Sequence, residues 1–287
     1  MKSALLAFAL IAPASAASAA PPVTLTAGGK PVLEYRTADT LFKPYVAQLY
    51  TPAGVAVLRD APADHLHHHG LMFALGIEGV SFWEERPASG RQVSRSFTCG
   101  QQSISQSLEW TMPDGRIALR EERNITVHDP AGRSATWLTW RSRLQAPPDR
   151  EGVKLTGSHY YGLGARFVAA MDTAGVFINS AGAAGDVVRG TERLSTAAWC
   201  AYTATADGKP VTFAIFDHPA NLHHPPRLFT MTAPFAYLAT TLNLWKEPYR
   251  LEATRPIDLR YGVAVWDGKS DHAAIDALYR RWVKLAE

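Results

Sequence analysis

The 287-residue chain has only two cysteines, Cys99 and Cys200. Two thiols a hundred positions apart do not form a zinc-finger pattern. They stay open between a disulfide, which an oxidising compartment permits, and two small buried hydrophobes. After residue 20 no apolar run approaches the ~18 residues of a membrane-spanning helix. Charged residues are 19% of the chain, the net charge is +3, and the signs are interspersed. Without a basic run, nucleic acid is not an expected partner. No fixed-period repeat and no low-complexity linker divides the chain. No paired-carboxylate signature of an ordinary glycosidase stands out.

The first twenty residues form a separate object. Lys2 is followed by the apolar run Ala4 to Ala14, then by Ala14-Ser15-Ala16 and Ala17-Ser18-Ala19. This is the pattern of a secretory signal peptide with small-residue cleavage sites. The expectation is residues 1–20 as signal and 21–287 as a single β-sandwich domain, periplasmic or secreted, with no membrane insertion once the signal is removed.

The remainder reads as strands separated by turns. Gly28-Gly29, Pro52-Ala53-Gly54, Pro113-Asp114-Gly115, Asp129-Pro130-Ala131-Gly132 and Asp207-Gly208-Lys209-Pro210 have hairpin chemistry. Ile117 to Val127, Thr136 to Leu144, Val211 to Phe216 and Leu259 to Trp266 read as strands. In the second, Trp137, Thr139 and Arg141 alternate with Leu138, Trp140 and Ser142. One long helix is expected at the C-terminus. Ser270 or Asp271 caps it, and Ile275, Leu278, Tyr279, Trp282 and Leu285 form its apolar face. The fold class is therefore mostly β, a large antiparallel sandwich with a C-terminal helix.

Chemistry concentrates in Asp64-His65-Leu66-His67-His68-His69-Gly70, which holds four of the ten histidines. In an extended segment His65, His67 and His69 share one face and His68 takes the other. Such imidazoles serve as acid and base or as metal ligands. Trp83 and Glu84 offer a stacking surface beside an acceptor, a combination that suits sugar rings. Two more segments carry candidate groups. His159 and Arg166 flank glycines that permit close backbone approach, and Arg166 is a candidate clamp for a polarised oxygen. Asp217, His218, Asn221, His223 and His224 follow a strand. A shared pocket built from all three segments is expected.

These blocks carry a resemblance. Lys43-Pro44-Tyr45, Asp64-His65-x-His67-His68-x-Gly70-Leu71, Phe82-Trp83-Glu84, Gly162-Leu163-Gly164-x-Arg166, Trp199, Asp217-His218-Pro219-x-Asn221 and the closing Tyr261 to Gly268 run resemble a bacterial family of unknown function that often carries the name "methane oxygenase PmoA". The resemblance covers nearly all of the chain after residue 20. His69 departs from a usual Arg, Leu66 from a usual Pro and Met72 from a usual Trp, and His223-His224 is also unusual. The methane monooxygenase subunit of that name is an integral membrane protein, so methane oxidation is not expected here. More weakly, Ser158-His159-Tyr160-Tyr161, His68-His69-Gly70 and Tyr249 to Tyr261 are similar to parts of galactose-mutarotase-like proteins. That similarity implies a β-supersandwich. Members of the family tend to accompany sugar-modifying enzymes, which implies carbohydrate work.

The leading expectation is an exported carbohydrate-active enzyme, of epimerase, lyase or hydrolase type, acting on a small-molecule or glycan substrate. His65, His67, His68, His159, Arg166, Asp217 and His218 are its candidate catalytic residues. Trp83, Glu84 and Asn221 are its candidate binding residues. No cofactor is required by this reading. The alternatives are a metal-dependent enzyme, with Zn²⁺ or a similar divalent ion on His65, His67, His159, His218 or His223, and a non-catalytic glycan-binding module.

Overall fold

A computed structural model describes residues 22–128 and 134–286. The N-terminal segment expected to be a signal, and the turn expected at Asp129 to Gly132, lie outside the described residues. Those described are mostly strand, in three sheets whose pairings are all antiparallel. A nine-stranded sheet runs in the order Val23–Ala27, Lys30–Arg36, Tyr45–Leu49, Leu71–Ala74, Gly162–Arg166, Tyr237–Thr241, Arg227–Met231, Glu192–Thr196 and Asp186–Arg189. An eight-stranded sheet runs Val176–Asn179, Trp199–Ala206, Lys209–Asp217, Ile257–Asp267, Ala135–Gln145, Ile117–Val127, Ser103–Thr111 and Arg91–Cys99. Tyr249–Glu252, Gly152–Thr156, Gly76–Ile77 and Val80–Ser81 make a small third sheet.

Period-two alternation sorts the side chains of the eight-stranded sheet. In Ala135–Gln145, Leu138, Trp140 and Leu144 enter the core shared with the nine-stranded sheet, while Trp137 faces the other way. There Trp137 joins Trp199, Phe216 and Trp266 in a second cluster, which the helix His272–Leu285 covers with Ile275 and Trp282. Asp271 caps that helix by accepting from the Ala274 N–H at 2.8 Å. Leu285, expected on the buried face, is exposed in the last turn beyond the reach of the sheet. Two-residue hairpins with both residues at positive φ occur at Gly28-Gly29 and Asp207-Gly208, the conformation that matches strand twist.

One fully buried ion-pair network lies between the strands Ile117–Val127 and Arg91–Cys99. Arg123 and Glu121 pair through two hydrogen bonds of 2.8 and 2.9 Å, and Arg123 also donates to Gln92 Oε1 and to the Pro44 carbonyl. Its guanidinium lies over Trp140, 4.7 Å from the ring centre. A buried charge is tolerated only when it is paired and hydrogen-bonded in this way.

The cysteines do not pair: Cys99 is exposed, Cys200 is buried, and both are free thiols. The strand carrying Cys99 is six strand spacings from the one carrying Cys200, roughly 29 Å at the usual interstrand distance. A disulfide needs its Cα atoms within about 7 Å. Burial also pushes the Cys200 thiol pKa up. Thiol titration of the native protein is expected to count one reactive cysteine, and two after unfolding. Two slow thiols, or none, in the native state would contradict this placement.

Candidate functional site

Strand register builds the site. Leu71 pairs with Ala165, Arg166 with Tyr237, Tyr237 with Met231, and Thr230 with Arg193. One end of five adjacent strands therefore brings together the segment before Leu71, the start of Tyr237–Thr241, Met231 and Glu192. A cavity of about 530 Å³ opens there, lined by His65, His67, His68, Trp83, Glu84, Arg86, Tyr160, Arg189 to Glu192, Phe229, Met231, Ala233 to Phe235 and Tyr237.

The histidine segment is not extended. His65 N–H donates to the Pro62 carbonyl and His68 N–H to the His65 carbonyl, both at 2.9 Å, closing two successive turns. Side chains in turns do not alternate, so His65, His67 and His68 gather on the cavity side. Ring centres lie 4.6 Å apart for His65–His68 and for His67–His68. His69 leaves the group. Its Nδ1 meets Asp60 Oδ1 at 2.6 Å, its Nε2 meets Glu85 Oε1 at 2.8 Å, and Tyr45 stacks on its ring. Buried Lys43 donates to the same Glu85 oxygen at 2.6 Å. Burial alone would raise the Glu85 carboxyl, but His69 and Lys43 outweigh it and hold the pKa down at about 2. This network ties the segment carrying Glu84 to the histidine segment.

Arg166 is a support rather than a wall. It is buried beneath the cavity and does not line it. Its N–H donates to the Gly70 carbonyl at 2.8 Å, and its Nη2 donates to Asp64 Oδ2 at 3.0 Å. Its guanidinium lies 3.5 Å from the ring centre of Phe235, close enough for a strong cation–π contact. Asp64 also meets His65 Nδ1 at 3.1 Å. The glycines nearby are required by crowding. A Cβ on Gly70 would lie 2.5 Å from the Val46 carbonyl, and one on Gly164 would lie 2.1 Å from the Tyr237 hydroxyl.

His159 sits behind Tyr160, with its Nε2 3.6 Å from Glu192 Oε2. His67 Nε2 is 3.9 Å from Glu84 Oε2. Burial lowers the pKa of both imidazoles, although their carboxylate neighbours oppose it. His68 is pushed down to about 2, by burial first and then by the neighbouring His67, His65 and Arg166. All three rings are therefore neutral at pH 7. Trp83 forms the buried floor, with one face stacked on Tyr161 at 5.2 Å. It is not the open stacking platform expected from sequence. Tyr160, Phe229 and Phe235 supply aromatic wall instead.

The third expected segment does not reach the cavity. Asn221 Nδ2 donates to Asp217 Oδ1 and to the Arg260 carbonyl, and its Oδ1 accepts from the Arg260 N–H. Asp217 Oδ2 meets His224 Nδ1 at 2.8 Å. His218 Nδ1 accepts from the Ala220 N–H, and its ring stands edge-on to Trp282. His223 Nδ1 meets the Leu242 carbonyl. These groups shape their own loop and its contact with the C-terminal helix. The five histidines proposed as metal ligands are thus not gathered at one point. Among the described residues, no group of three or more His, Cys, Asp or Glu is arranged to hold a metal ion.

Glu192, Tyr237, Phe235, Phe229, Met231, Arg86 and Arg189 were not anticipated as site residues. Phe235 and Tyr237 carry a weak signal, two aromatics at the spacing that shares one strand face. Glu192, in the hairpin Asp186–Thr196, carries none.

The family model of a family of unknown function (DUF6807) matches residues 22–280, and the chain belongs to that family. Among solved structures it is similar to a galactose mutarotase related enzyme from Lactobacillus acidophilus. Identity is 7%, the TM-score is 0.48, and 88% of this chain and 98% of that one are covered. It is also similar to the protein HI1317, at 8% identity and a TM-score of 0.43, covering 85% and 98%. Comparison with curated proteins gives no match.

The neutral imidazoles have a consequence for stability. Below pH 6.5, the ordinary histidine value, the unfolded chain protonates His68, while the folded chain does not do so until about pH 2. Stability must then fall as pH drops through that window, by up to about 1.4 kcal/mol per pH unit from His68 alone. His67 and His159 act in the same direction. Urea unfolding at pH 7 and pH 5 is expected to show this loss, and His68→Gln is expected to reduce it. An unchanged slope in that variant would contradict the assignment.

Proposed function

We propose that this protein is a carbohydrate-active enzyme that moves protons on a sugar or sugar-derived ring. The observation that carries this reading is the cavity's composition. Neutral imidazoles and carboxylates share one 530 Å³ space with aromatic and apolar walls. Pockets for small molecules combine a mostly apolar lining with a few convergent polar groups. His67 with Glu84 is an imidazole–carboxylate couple that lines that space, and Glu192, which also lines it, is backed by His159 from behind Tyr160. A neutral imidazole accepts a proton from a ring hydroxyl or carbon, and the resulting imidazolium is stabilised by its carboxylate. The same imidazolium then returns that proton to another position of the ring, so the proton count balances. Epimerisation, elimination and hydrolysis all draw on such a pair. No metal is needed for these steps. The N-terminal segment supports export, so we place this activity in the periplasm or outside the cell.

The test is proton NMR of neutral sugars and glycosides incubated with the purified protein in D₂O. The expected result is deuterium entering a ring position, or a bond made or broken. His67→Gln or Glu84→Gln should cut that rate by about 10²–10⁴-fold without loss of fold. Binding without turnover of any sugar would instead make the protein a glycan-binding module. Turnover that vanishes on chelation and returns with zinc would make it a metal-dependent enzyme.

A further inference from the structure

We infer that the cavity takes an uncharged polyhydroxylated ring and selects against phosphorylated and carboxylated ones, an inference that rests on its reading as a sugar site. Four formally charged side chains line it: Arg86, Arg189, Glu84 and Glu192. They are arranged as two pairs, Arg86 Nη2 to Glu84 Oε2 at 3.4 Å and Arg189 Nη2 to Glu192 Oε1 at 2.7 Å. Within each pair the burial is unequal. The arginine side chains are 74% and 82% exposed, and the glutamates only 21% and 9%. The cations therefore sit in water at the mouth, where their field is screened. The carboxylates face the interior, where it is not.

The hydrogen-bonding inventory points the same way. Of the cavity-lining groups, Glu84 Oε2, Glu192 Oε2, His68 Nδ1, Trp83 Nε1 and the Tyr237 hydroxyl are buried and have no hydrogen-bond partner within the protein. Two of these accept only, one donates only, and two do either. A sugar hydroxyl donates and accepts at once, so several on one ring can satisfy a mixed set. The gaps of 3.6 and 3.9 Å between imidazole and carboxylate are too long for a direct hydrogen bond. A hydroxyl beside the His67–Glu84 gap, both of whose partners line the cavity, can donate to the carboxylate and accept from the imidazole. A phosphate or carboxylate group only accepts. It would leave both glutamate oxygens unsatisfied and meet like charge in a poorly solvated space.

The experiment is calorimetric titration of the full chain with methyl glycosides of neutral hexoses, the corresponding methyl uronides, and hexose 6-phosphates. Neutral glycosides are expected to bind at least about tenfold more tightly than their charged counterparts. Glu84→Gln and Glu192→Gln should narrow that ratio, because each removes one interior negative charge at constant shape. Charged sugars binding as tightly as neutral ones would overturn the inference and leave the sugar site standing. Binding of none of the three classes would remove the sugar reading itself, and this inference with it.

Discussion

The site depends on one buried cation. Arg166 ends a central strand of the nine-stranded sheet, and it holds three groups that are each far from it in sequence. Its backbone fixes Gly70, its guanidinium fixes Asp64, and its flat face supports Phe235. The histidine segment is thereby clamped at both ends, with Asp64 before the imidazoles and Gly70 after them. A guanidinium suits this task because it is planar, permanently charged and able to stack while it donates. Burial lowers its pKa, with Asp64 opposing, from a value so high that charge is retained.

Around that anchor the molecule separates rigid support from reactive surface. The His69–Glu85–Lys43 network is ionic and paired, and Arg166 is held by Asp64 at Nη2 and by the Phe235 ring, although its Nε and Nη1 are buried without a hydrogen-bond partner. The groups that face the cavity are different. Their imidazoles are neutral and several of their polar atoms are unpaired. Fully paired networks rigidify, while unpaired polar groups in a concave site are positioned to meet a ligand. This division also explains why four adjacent histidine-rich positions do different work. Three face the cavity, and His69 belongs to the frame behind them.

Much of the fold was legible. Ile117–Val127 has the bounds expected from its pattern, and Ala135–Gln145 shows the two-sided alternation that its sequence displays. The Asp271 cap and the Ile275–Trp282 stripe are local signals, and local signals survive tertiary packing. In the site, the histidine segment, Trp83, Glu84 and His159 were readable because unusual chemistry is dense there. Their geometry was not readable, since tight turns replaced the assumed extended backbone. Glu192 and Tyr237 escaped because they enter through the pairing of strands distant in sequence. Asp217, His218 and Asn221 misled for the opposite reason. A loop that satisfies its own polar groups has the same composition as one that offers them to a ligand.

The anchoring role of Arg166 is tested most directly by amide hydrogen exchange in Arg166→Met. The amides of His65 and His68, whose turns depend on the clamped ends, are expected to lose their protection. The amides of Ala135–Gln145, in the other large sheet, should keep theirs. Unchanged protection at His65 and His68 in a folded variant would contradict the claim that this one residue holds the histidine wall in place.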